Sequence, residues 1–371
     1  MRTLITASCT ALLLLTTQTA HAGQAVPAAA APDTYQCLLD TAAKPPVPGA
    51  LMEVRGPGVR FAGASGVFRV GGRKLKVADP FRTASVTKTM TAATALRLVE
   101  QGSLDVDAPV SRYLPAKLVA RLPHGAQITV KQLITHTSGL VDYVGDDWIA
   151  YVVKHPHKTW KPVELVEWAI AHGKPYGRPG AVYHYSDTGY TLLGMVMEAA
   201  SGKPLHRLYR TLLLNPLGMR DTYLEWWERS RGAVAHSYLG DVDLHGFNPT
   251  FDTFGGGGLV STAADLTRFV RALFEGKVFD RPETLEAMMT VTPQSRKAGE
   301  PYGMGVEALS IGKETVWGHG GHLGAFQYYS VQKKVSVTGT LTQDLTVSMK
   351  QWEQLVGRSF LRAFGTEVPC P

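Results

Sequence analysis

The sequence predicts an α/β fold of the α+β type, with a five-stranded antiparallel sheet flanked by helices and a mainly helical insertion. Short strand patterns separated by turn residues lie toward both ends of the 371-residue chain. Helical patterns and loops dominate from about 101 to 275. We expect the strands from the two ends of the chain to pair with each other and form one sheet. We therefore expect one domain over 45–371, with a sheet part at about 45–100 and 276–371 and a helical part at about 101–275.

Residues 1–22 have the pattern of a signal peptide. Arg2 precedes a short apolar run, and Ala20-His21-Ala22 has the small-x-small form of a signal-peptidase site. Cleavage near Ala22 predicts a secreted or periplasmic protein. The apolar run is shorter than the roughly 20 residues that cross a bilayer, so we expect no stable membrane insertion. Residues 23–44 are predicted to form a flexible segment and a first helix.

The first folded segments favour strands and then a helix. Leu51–Val54 and Val59–Ala62 flank Gly56-Pro57-Gly58, which is typical of two antiparallel strands joined by a tight turn, and Val67–Val70 predicts a third strand. The stretch 86–100 contains no Gly or Pro, so we expect a helix that Ser85 begins and that Gly102 follows.

The remaining elements follow from periodicity. Helices are expected at Tyr190–Ala200 and at Ala263–Phe274, where Thr262 and Asp265 predict a capping box. A closing helix carries an apolar stripe that includes Trp352 and Phe360. Short C-terminal strands are predicted at Gly303–Leu309, Thr315–Trp317, Ala325–Val331 and Val335–Leu341.

Charge and motif content exclude several function classes. The formal net charge is +7, without a block of Lys or Arg, so we expect no nucleic-acid partner. His155 and His157 have no further partner at metal-ligand spacing, which favours a solvated loop over a metal site. No motif for a cofactor is recognised, and none is expected. No G-x-S-x-G sequence occurs, which disfavours an α/β-hydrolase.

Ser85-Val86-Thr87-Lys88 is the first candidate for catalytic chemistry. At the start of a helix, a spacing of three places both side chains on one face, one turn apart. A serine hydroxyl is a weak nucleophile unless a neighbour accepts its proton, and a buried lysine can do so. The helix N-terminus favours developing negative charge. Taken alone, the pair also fits an ordinary surface helix.

Tyr185-Ser186-Asp187 is the second candidate. Residues two apart in an extended segment project to the same side, so Tyr185 and Asp187 can act together. A phenol can pass a proton to a leaving group. The alternative is an ordinary buried tyrosine followed by an aspartate that caps the next helix.

Gly318-His319-Gly320-Gly321-His322 is the third candidate, in a strand pattern that starts at Thr315. Glycines in a strand let another backbone or a ligand approach closely, and a backbone N–H group there can complete an oxyanion hole. A plain β-bulge is the alternative. We interpret His136 and the Gly255–Gly258 run as structural turn elements.

These three motifs resemble those of the serine β-lactamase and penicillin-binding protein superfamily, in its class C β-lactamase and D-alanyl-D-alanine carboxypeptidase branch. The resemblance spans about residues 47–342 and includes further family-like stretches in the expected order. These stretches are Phe81-Arg82, Leu133–Leu140, Pro216–Met219, and Gly258–Thr262 leading into Asp265. The resemblance implies a β-lactamase/transpeptidase-like fold.

The resemblance also implies roles for the site residues. Ser85 would be the nucleophile that forms the acyl-enzyme. Lys88 would deprotonate the Ser85 hydroxyl, and Tyr185 would shuttle that proton. The backbone N–H groups of Ser85 and His322 would form the oxyanion hole. Asp187, His319, Gly320 and Gly321 would contact the substrate.

Two positions depart from the usual family pattern. Asp187 stands where Asn is usual, and a carboxylate beside Lys88 favours the ammonium and opposes its work as a base. His319 stands where β-lactamases of this branch carry Lys, so a permanent cation for a substrate carboxylate is missing.

The resulting prediction is an exported serine hydrolase that cleaves an ester or amide in a small-molecule ester, D-peptide or β-lactam. Carboxypeptidase-like and esterase-like activity are both open, with a β-lactamase or an acyltransferase as alternatives. A penicillin-binding sensor without turnover is an alternative of another class. Export and the family's packing of its terminal helices motivate a further hypothesis, a disulfide between Cys37 and Cys370.

Overall fold

The computed structural model describes residues 32–370. The predicted signal peptide and the start of the segment predicted to be flexible therefore lie outside the described residues. The strands, in chain order, are β1 (Gly49–Gly56), β2 (Val59–Gly66), β3 (Phe81–Arg82), β4 (Tyr223–Leu224), β5 (Tyr238–Leu239), β6 (Val242–Asp243), β7 (Leu259–Ser261), β8 (Glu307–Ile311), β9 (Glu314–Gly320), β10 (Ala325–Ser330) and β11 (Val335–Leu341).

Twelve α-helices are found in the same described part of the chain. They are α1 (Pro32–Ala42), α2 (Thr87–Glu100), α3 (Ala116–Val119), α4 (Val130–Ile134), α5 (Asp146–Lys154), α6 (Pro162–His172), α7 (Asp187–Ser201), α8 (Leu205–Tyr209), α9 (Ala263–Phe274), α10 (Pro282–Met289), α11 (Pro293–Ala298) and α12 (Leu345–Ala363).

The main sheet joins the two ends of the chain, as the sequence predicts. Its order is β2-β1-β11-β10-β9-β8, and every neighbouring pair is antiparallel. The central pairing of β1 with β11 sets Leu51 opposite Thr340. The sheet has six strands where five were expected. Two short sheets, β3-β7-β4 and β5-β6, lie outside it.

The sheet is buried on both faces, which makes the molecule three layers deep. Alternation along β1 sends Met52 and Val54 into one hydrophobic cluster with residues of α1 and α12, and sends Leu51 into the other. The second cluster contains the apolar residues of α2, α7 and α9. Helix α2 therefore lies between the sheet and the helical part, which places Ser85 at the junction of the two.

Three details of the predicted architecture are wrong. Val67–Val70 is not a strand, because the chain turns back so that Phe68 N–H donates to Arg73 O at 2.9 Å. The strand expected at Gly303–Leu309 begins later, at Glu307. Helix α9, assigned to the helical part, packs on the sheet, where Thr267 and Thr338 hydroxyl oxygens lie 2.7 Å apart.

The capping of α9 agrees with the sequence only in part. Thr262 Oγ1 accepts a hydrogen bond from Asp265 N–H at 3.2 Å, as an N-cap does. The Asp265 carboxylate does not complete a capping box, because it accepts hydrogen bonds from Asp221 N–H and from the Thr222 hydroxyl. These hydrogen bonds connect the first turn of α9 to the segment that precedes β4.

Within residues 32–370, no helix is long and apolar enough to cross a bilayer.

Candidate active site

Ser85 lies in a tight turn directly before α2. This 3₁₀ turn spans Ala84–Val86, and Ala84 adopts a left-handed φ of +44°. Such a conformation costs a non-glycine residue about 1–3 kcal/mol and is found mainly where the surrounding structure fixes it. Gly321 packs closely against this turn, since a Cβ on Gly321 would lie 2.5 Å from Thr83 O. The Gly-rich end of β9 therefore packs directly against the turn that carries Ser85.

Lys88 is fully buried one helical turn after Ser85. Its Nζ lies 2.9 Å from Ser85 Oγ and 2.8 Å from Gly256 O, and it also contacts Asp187 Oδ1. An ammonium group has three N–H donors, so these three acceptors satisfy it completely. A Cβ on Gly256 would lie 2.7 Å from Asp187 Oδ1. Only a glycine at position 256 therefore lets the backbone of this turn approach Lys88 so closely.

Tyr185 and Asp187 converge on Lys88 from the extended segment before α7. The Tyr185 ring centroid lies 4.8 Å from Lys88 Nζ, and the Ser85 hydroxyl is close enough to the Tyr185 phenol to act on the pKa of that phenol. Burial, and then the charge of Asp187, raise the pKa of Tyr185 well above its ordinary value. The phenol thus keeps its proton at neutral pH. The cap of α7 is Ser186, whose Oγ accepts from Gly189 N–H, so the reading of Asp187 as the helix cap is wrong.

Two further carboxyl groups, Asp142 and Asp252, lie close to Asp187 and Lys88. Asp142 Oδ1 accepts hydrogen bonds from Asp187 N–H at 3.0 Å and from Thr188 N–H at 3.3 Å. Burial, and then the charge of Asp187, raise the pKa of Asp142 to about 8 and that of Asp252 to about 7. The site therefore contains three carboxyl groups around one lysine.

His319 is buried beside Tyr185 and is not a cation. Its Nδ1 lies 2.6 Å from Gly320 O, a group that only accepts, so Nδ1 carries the proton. Its Nε2 then accepts from the Tyr302 hydroxyl at 3.0 Å. Burial lowers the pKa of His319, with the charge of Glu307 acting against this shift. The imidazole is therefore neutral, and the site lacks the fixed positive charge that a lysine at this position would supply.

The amides of Ser85 and His322 border one cavity. Within residues 32–370, neither backbone N–H group donates a hydrogen bond to another part of the protein. His322 is held in place through its carbonyl, which accepts from Leu345 N–H at 2.8 Å. Both N–H groups are therefore free to donate to a ligand, and the oxyanion hole that the sequence predicts for them stays a prediction.

An apolar cavity that opens to solvent adjoins Ser85. Helix α5 supplies Trp148, Ile149 and Val152 to its wall, and Leu244 and Leu323 also line it. Trp148 is fixed in turn by ring contacts, with centroids 4.5 Å from Trp160 and 5.2 Å from Trp168. The wall therefore has a packed aromatic cluster behind it.

The structure brings the predicted site residues together and adds others that the sequence did not reveal. Lys88 contacts Ser85, Asp187 and the Tyr185 ring, His319 lies beside Tyr185 with ring centroids 6.1 Å apart, and His322 lines the same cavity as Ser85. Asp142, Asp252, Tyr302 and the carbonyl of Gly256 were missed. The Gly255–Gly258 run was interpreted as a structural turn, and nothing in the local sequence indicated that it belongs to the site. Its contact with Lys88 depends on the tertiary fold.

The described part of the chain, residues 32–370, contains no group of three or more His, Cys, Asp or Glu side chains arranged to hold a metal ion.

Comparison with known proteins identifies the family. The β-lactamase family model matches residues 41–357. Esterase EstB of Burkholderia gladioli is 31% identical over 335 residues, which is 81% of this chain and 79% of the esterase. The D-alanyl-D-alanine-carboxypeptidase/endopeptidase AmpH of Escherichia coli is 29% identical over 238 residues, or 62% of this chain, but only 59% of the length of AmpH is matched.

A solved structure supports the same assignment. A D-stereospecific amidohydrolase from a Streptomyces species superposes with a TM-score of 0.76 at 30% identity, covering 89% of this chain and 98% of that one. With a family match over most of its length and a serine, lysine and tyrosine in contact at the junction of its two parts, this chain belongs to the β-lactamase family of serine hydrolases.

Proposed function

We propose that this protein hydrolyses an ester or amide bond through an acyl-enzyme on Ser85. One observation carries the proposal. The fully buried Lys88 has its Nζ 2.9 Å from Ser85 Oγ, and Ser85 lines an apolar cavity. Nucleophile and base within hydrogen-bond reach, with the base oriented by further groups, is the arrangement that activates a serine hydroxyl.

The proposed reaction has two halves. Lys88, once deprotonated, takes the proton of Ser85 as Oγ attacks the substrate carbonyl carbon. The N–H groups of Ser85 and His322 stabilise the oxyanion. The leaving group departs with a proton that the Tyr185 phenol delivers and recovers from Lys88. Water then attacks the acyl-Ser85 ester by the same route in reverse, which releases the acid and restores the hydroxyl.

The site favours esters and amides without a free carboxylate next to the scissile bond. His319 is neutral and Lys88 is fully occupied by its three acceptors, so neither is available to bind an anionic group. D-Alanyl-D-alanine peptides and most β-lactams carry such a carboxylate. Esterase-like or amidase-like turnover is therefore our first candidate. The names of two relatives, an esterase and an amidohydrolase, agree with it.

The carboxypeptidase-like activity is kept as a second candidate, because AmpH carries that name. Acyl transfer would use the same intermediate with an alcohol or amine in place of water. We further propose that residues 1–22 are a signal peptide and that the enzyme acts outside the cytoplasm.

Labelling followed by turnover tests this proposal. The purified protein is treated with a fluorophosphonate and with a fluorescent penicillin, and is then assayed on p-nitrophenyl esters and on D-alanyl-D-alanine peptides. We expect fluorophosphonate labelling and ester turnover, both lost in Ser85→Ala. Labelling without turnover of any substrate would favour a sensor. Labelling that persists in Ser85→Ala would contradict the proposed nucleophile.

A further inference from the structure

Asp252 contributes a charged group to a cavity that is otherwise mostly apolar. It lines the same cavity as Ser85 and Asp187. Its side chain makes no hydrogen bond and no ion pair with any residue of the described range 32–370. Buried carboxylates are normally paired, because an unpaired one loses its hydration without compensation. A carboxyl group without a partner in the described range, on the lining of a cavity, is available to a ligand that enters the cavity.

The position of Asp252 is fixed by the backbone around it. Its N–H donates to Pro249 O at 3.1 Å, and its carbonyl accepts from Phe254 N–H at 3.2 Å. The carboxylate packs against Gly257, because a Cβ on Gly257 would lie 2.4 Å from Asp252 Oδ2. The carboxylate is thus held by this short turn at the edge of the cavity, with Ser85 on the same lining.

The cations near the cavity do not satisfy Asp252. Lys88 already donates to Ser85, Asp187 and Gly256. The Arg82 guanidinium is held by Glu225, with Nε–Oε2 and Nη2–Oε1 distances of 2.8 and 3.0 Å. The charges of Lys88 and Arg82 lower the pKa of Asp252. The carboxylates of Asp187 and Glu225 act in the opposite direction. The local field therefore favours a cationic ligand and opposes an anionic one.

We propose that Asp252 binds the ammonium group of the acyl donor while the donor's apolar side chain occupies the cavity. The substrate class is then an amide or ester of an amino acid with a free α-amine and an apolar side chain. This inference rests on the proposed acyl-Ser85 chemistry. The two features are independent: the apolar wall selects the side chain, and the carboxylate selects the charge.

Titration of Asp252 is consistent with this role. Burial raises its pKa to about 7, with the charge of Asp187 as the next cause. The free carboxyl is therefore only partly ionised at neutral pH. A bound ammonium favours the ionised form, as any opposite charge in contact does.

A matched pair of substrates tests the proposal. Phenylalanine p-nitroanilide, in both enantiomers, carries the ammonium, and 3-phenylpropionic acid p-nitroanilide differs only by its absence. The measured quantity is the ratio of their kcat/KM values, for wild type, Asp252→Asn and Asp252→Glu. Asp147→Asn is the control, because it removes an exposed carboxylate from the first turn of α5. Hydrolysis of p-nitrophenyl 3-phenylpropionate by wild type and Ser85→Ala reports separately on the acyl-serine chemistry.

We expect wild type to prefer the amine-bearing anilide, and Asp252→Asn to lower the ratio roughly ten- to hundredfold, the value of a charge-assisted hydrogen bond. Asp252→Glu should retain part of the preference, and Asp147→Asn all of it. Serine-dependent ester hydrolysis with no preference for the ammonium, or with a ratio that Asp252→Asn leaves unchanged, would overturn this inference alone. Absence of Ser85-dependent hydrolysis of every substrate would overturn the proposed function and this inference with it. Thermal melts of each variant establish that it is folded.

Discussion

At the residue scale, the contact between Asp187 and Lys88 leads to a prediction about the pH dependence of the proposed chemistry. The carboxylate stabilises the ammonium form, yet Lys88 has to lose a proton before it can accept one from Ser85. We predict that Asp187→Asn shifts the acidic limb of the kcat/KM profile to lower pH. The measurement uses one neutral ester, so that substrate charge does not change. Asp147→Asn is the matched control, and acidic limbs that coincide in wild type and Asp187→Asn would exclude the ion-pair account.

Asp142 gives a pH prediction for stability. Its pKa is raised from 3.8 to about 8, chiefly by burial, so the folded protein holds a proton that the unfolded chain releases near pH 4. The stability from this group is present below pH 4 and is lost as pH rises through about 8. Asp142→Asn retains an oxygen that can accept from Asp187 and Thr188 N–H.

We therefore predict that Asp142→Asn is increasingly stable relative to wild type from pH 5 to pH 9, by several degrees in Tm, since each pKa unit is worth about 1.4 kcal/mol and about 1 kcal/mol shifts Tm by a few degrees. Thermal melts across this range check it. A Tm difference that stays constant with pH would show that Asp142 does not titrate as described.

The sequence predicts the residues that act at short spacing better than those brought in by the fold. Ser85 and Lys88 are one helical turn apart, and Tyr185 and Asp187 are two residues apart in an extended segment, so local geometry alone places each pair on one side. Asp142 and Asp252 reach the site from separate loops. Nothing in their own neighbourhood distinguishes them from solvated turn residues.

At the element scale, α5 determines the shape of the cavity. Ile149 lies on its wall, on a helix whose Trp148 packs against Trp160 and Trp168. We predict that Ile149→Trp narrows the cavity and lowers kcat/KM for p-nitrophenyl hexanoate about tenfold or more relative to the acetate, since each methylene excluded from an apolar pocket costs about 1–3 kcal/mol. Equal losses on both esters would contradict the assignment of the cavity to the acyl group.

Elements were predicted well where the pattern was long and poorly where it was short. The α9 bounds agree with the sequence, because its apolar stripe runs over the whole helix. Val67–Val70 has β-favouring residues, but the turn between Phe68 and Arg73 closes before any ladder forms. Strand β8 begins later than expected because the glycines at 303 and 305 belong to the preceding turn. A short apolar run does not fix where pairing starts.

At the whole-molecule scale, the two ends of the chain meet in one layer. Cys37 in α1 and Cys370 in the tail are joined as a disulfide in the structure, with Cα atoms 5.9 Å apart at a sequence separation of 333. We predict this bond in protein from an oxidising compartment. Mass spectrometry of peptides prepared without reduction checks it, and Cys37→Ser with Cys370→Ser serves as the control. Two free thiols in such material would refute the pairing.

The pairing of the chain's ends was predictable because strands at both termini have no other way to complete a sheet. The packing of α9 on the sheet was not predictable, since a helix with one apolar face fits equally against other helices or against a sheet. Its hydrogen bonds to β11, such as that between Thr338 Oγ1 and Ala263 O at 3.0 Å, are tertiary contacts without a local signal.

The central claim is that Ser85 and Lys88 act as one catalytic unit. Its most direct test is kcat/KM on a single neutral ester for wild type, Ser85→Ala, Lys88→Ala and the double variant, each first shown to be folded. Residues that act as a unit have losses that do not add. We predict that each single variant loses about 10³-fold or more, and that the double variant is no worse than Ser85→Ala. Substantial activity in either single variant, or a double loss equal to the product of the single losses, would contradict the account.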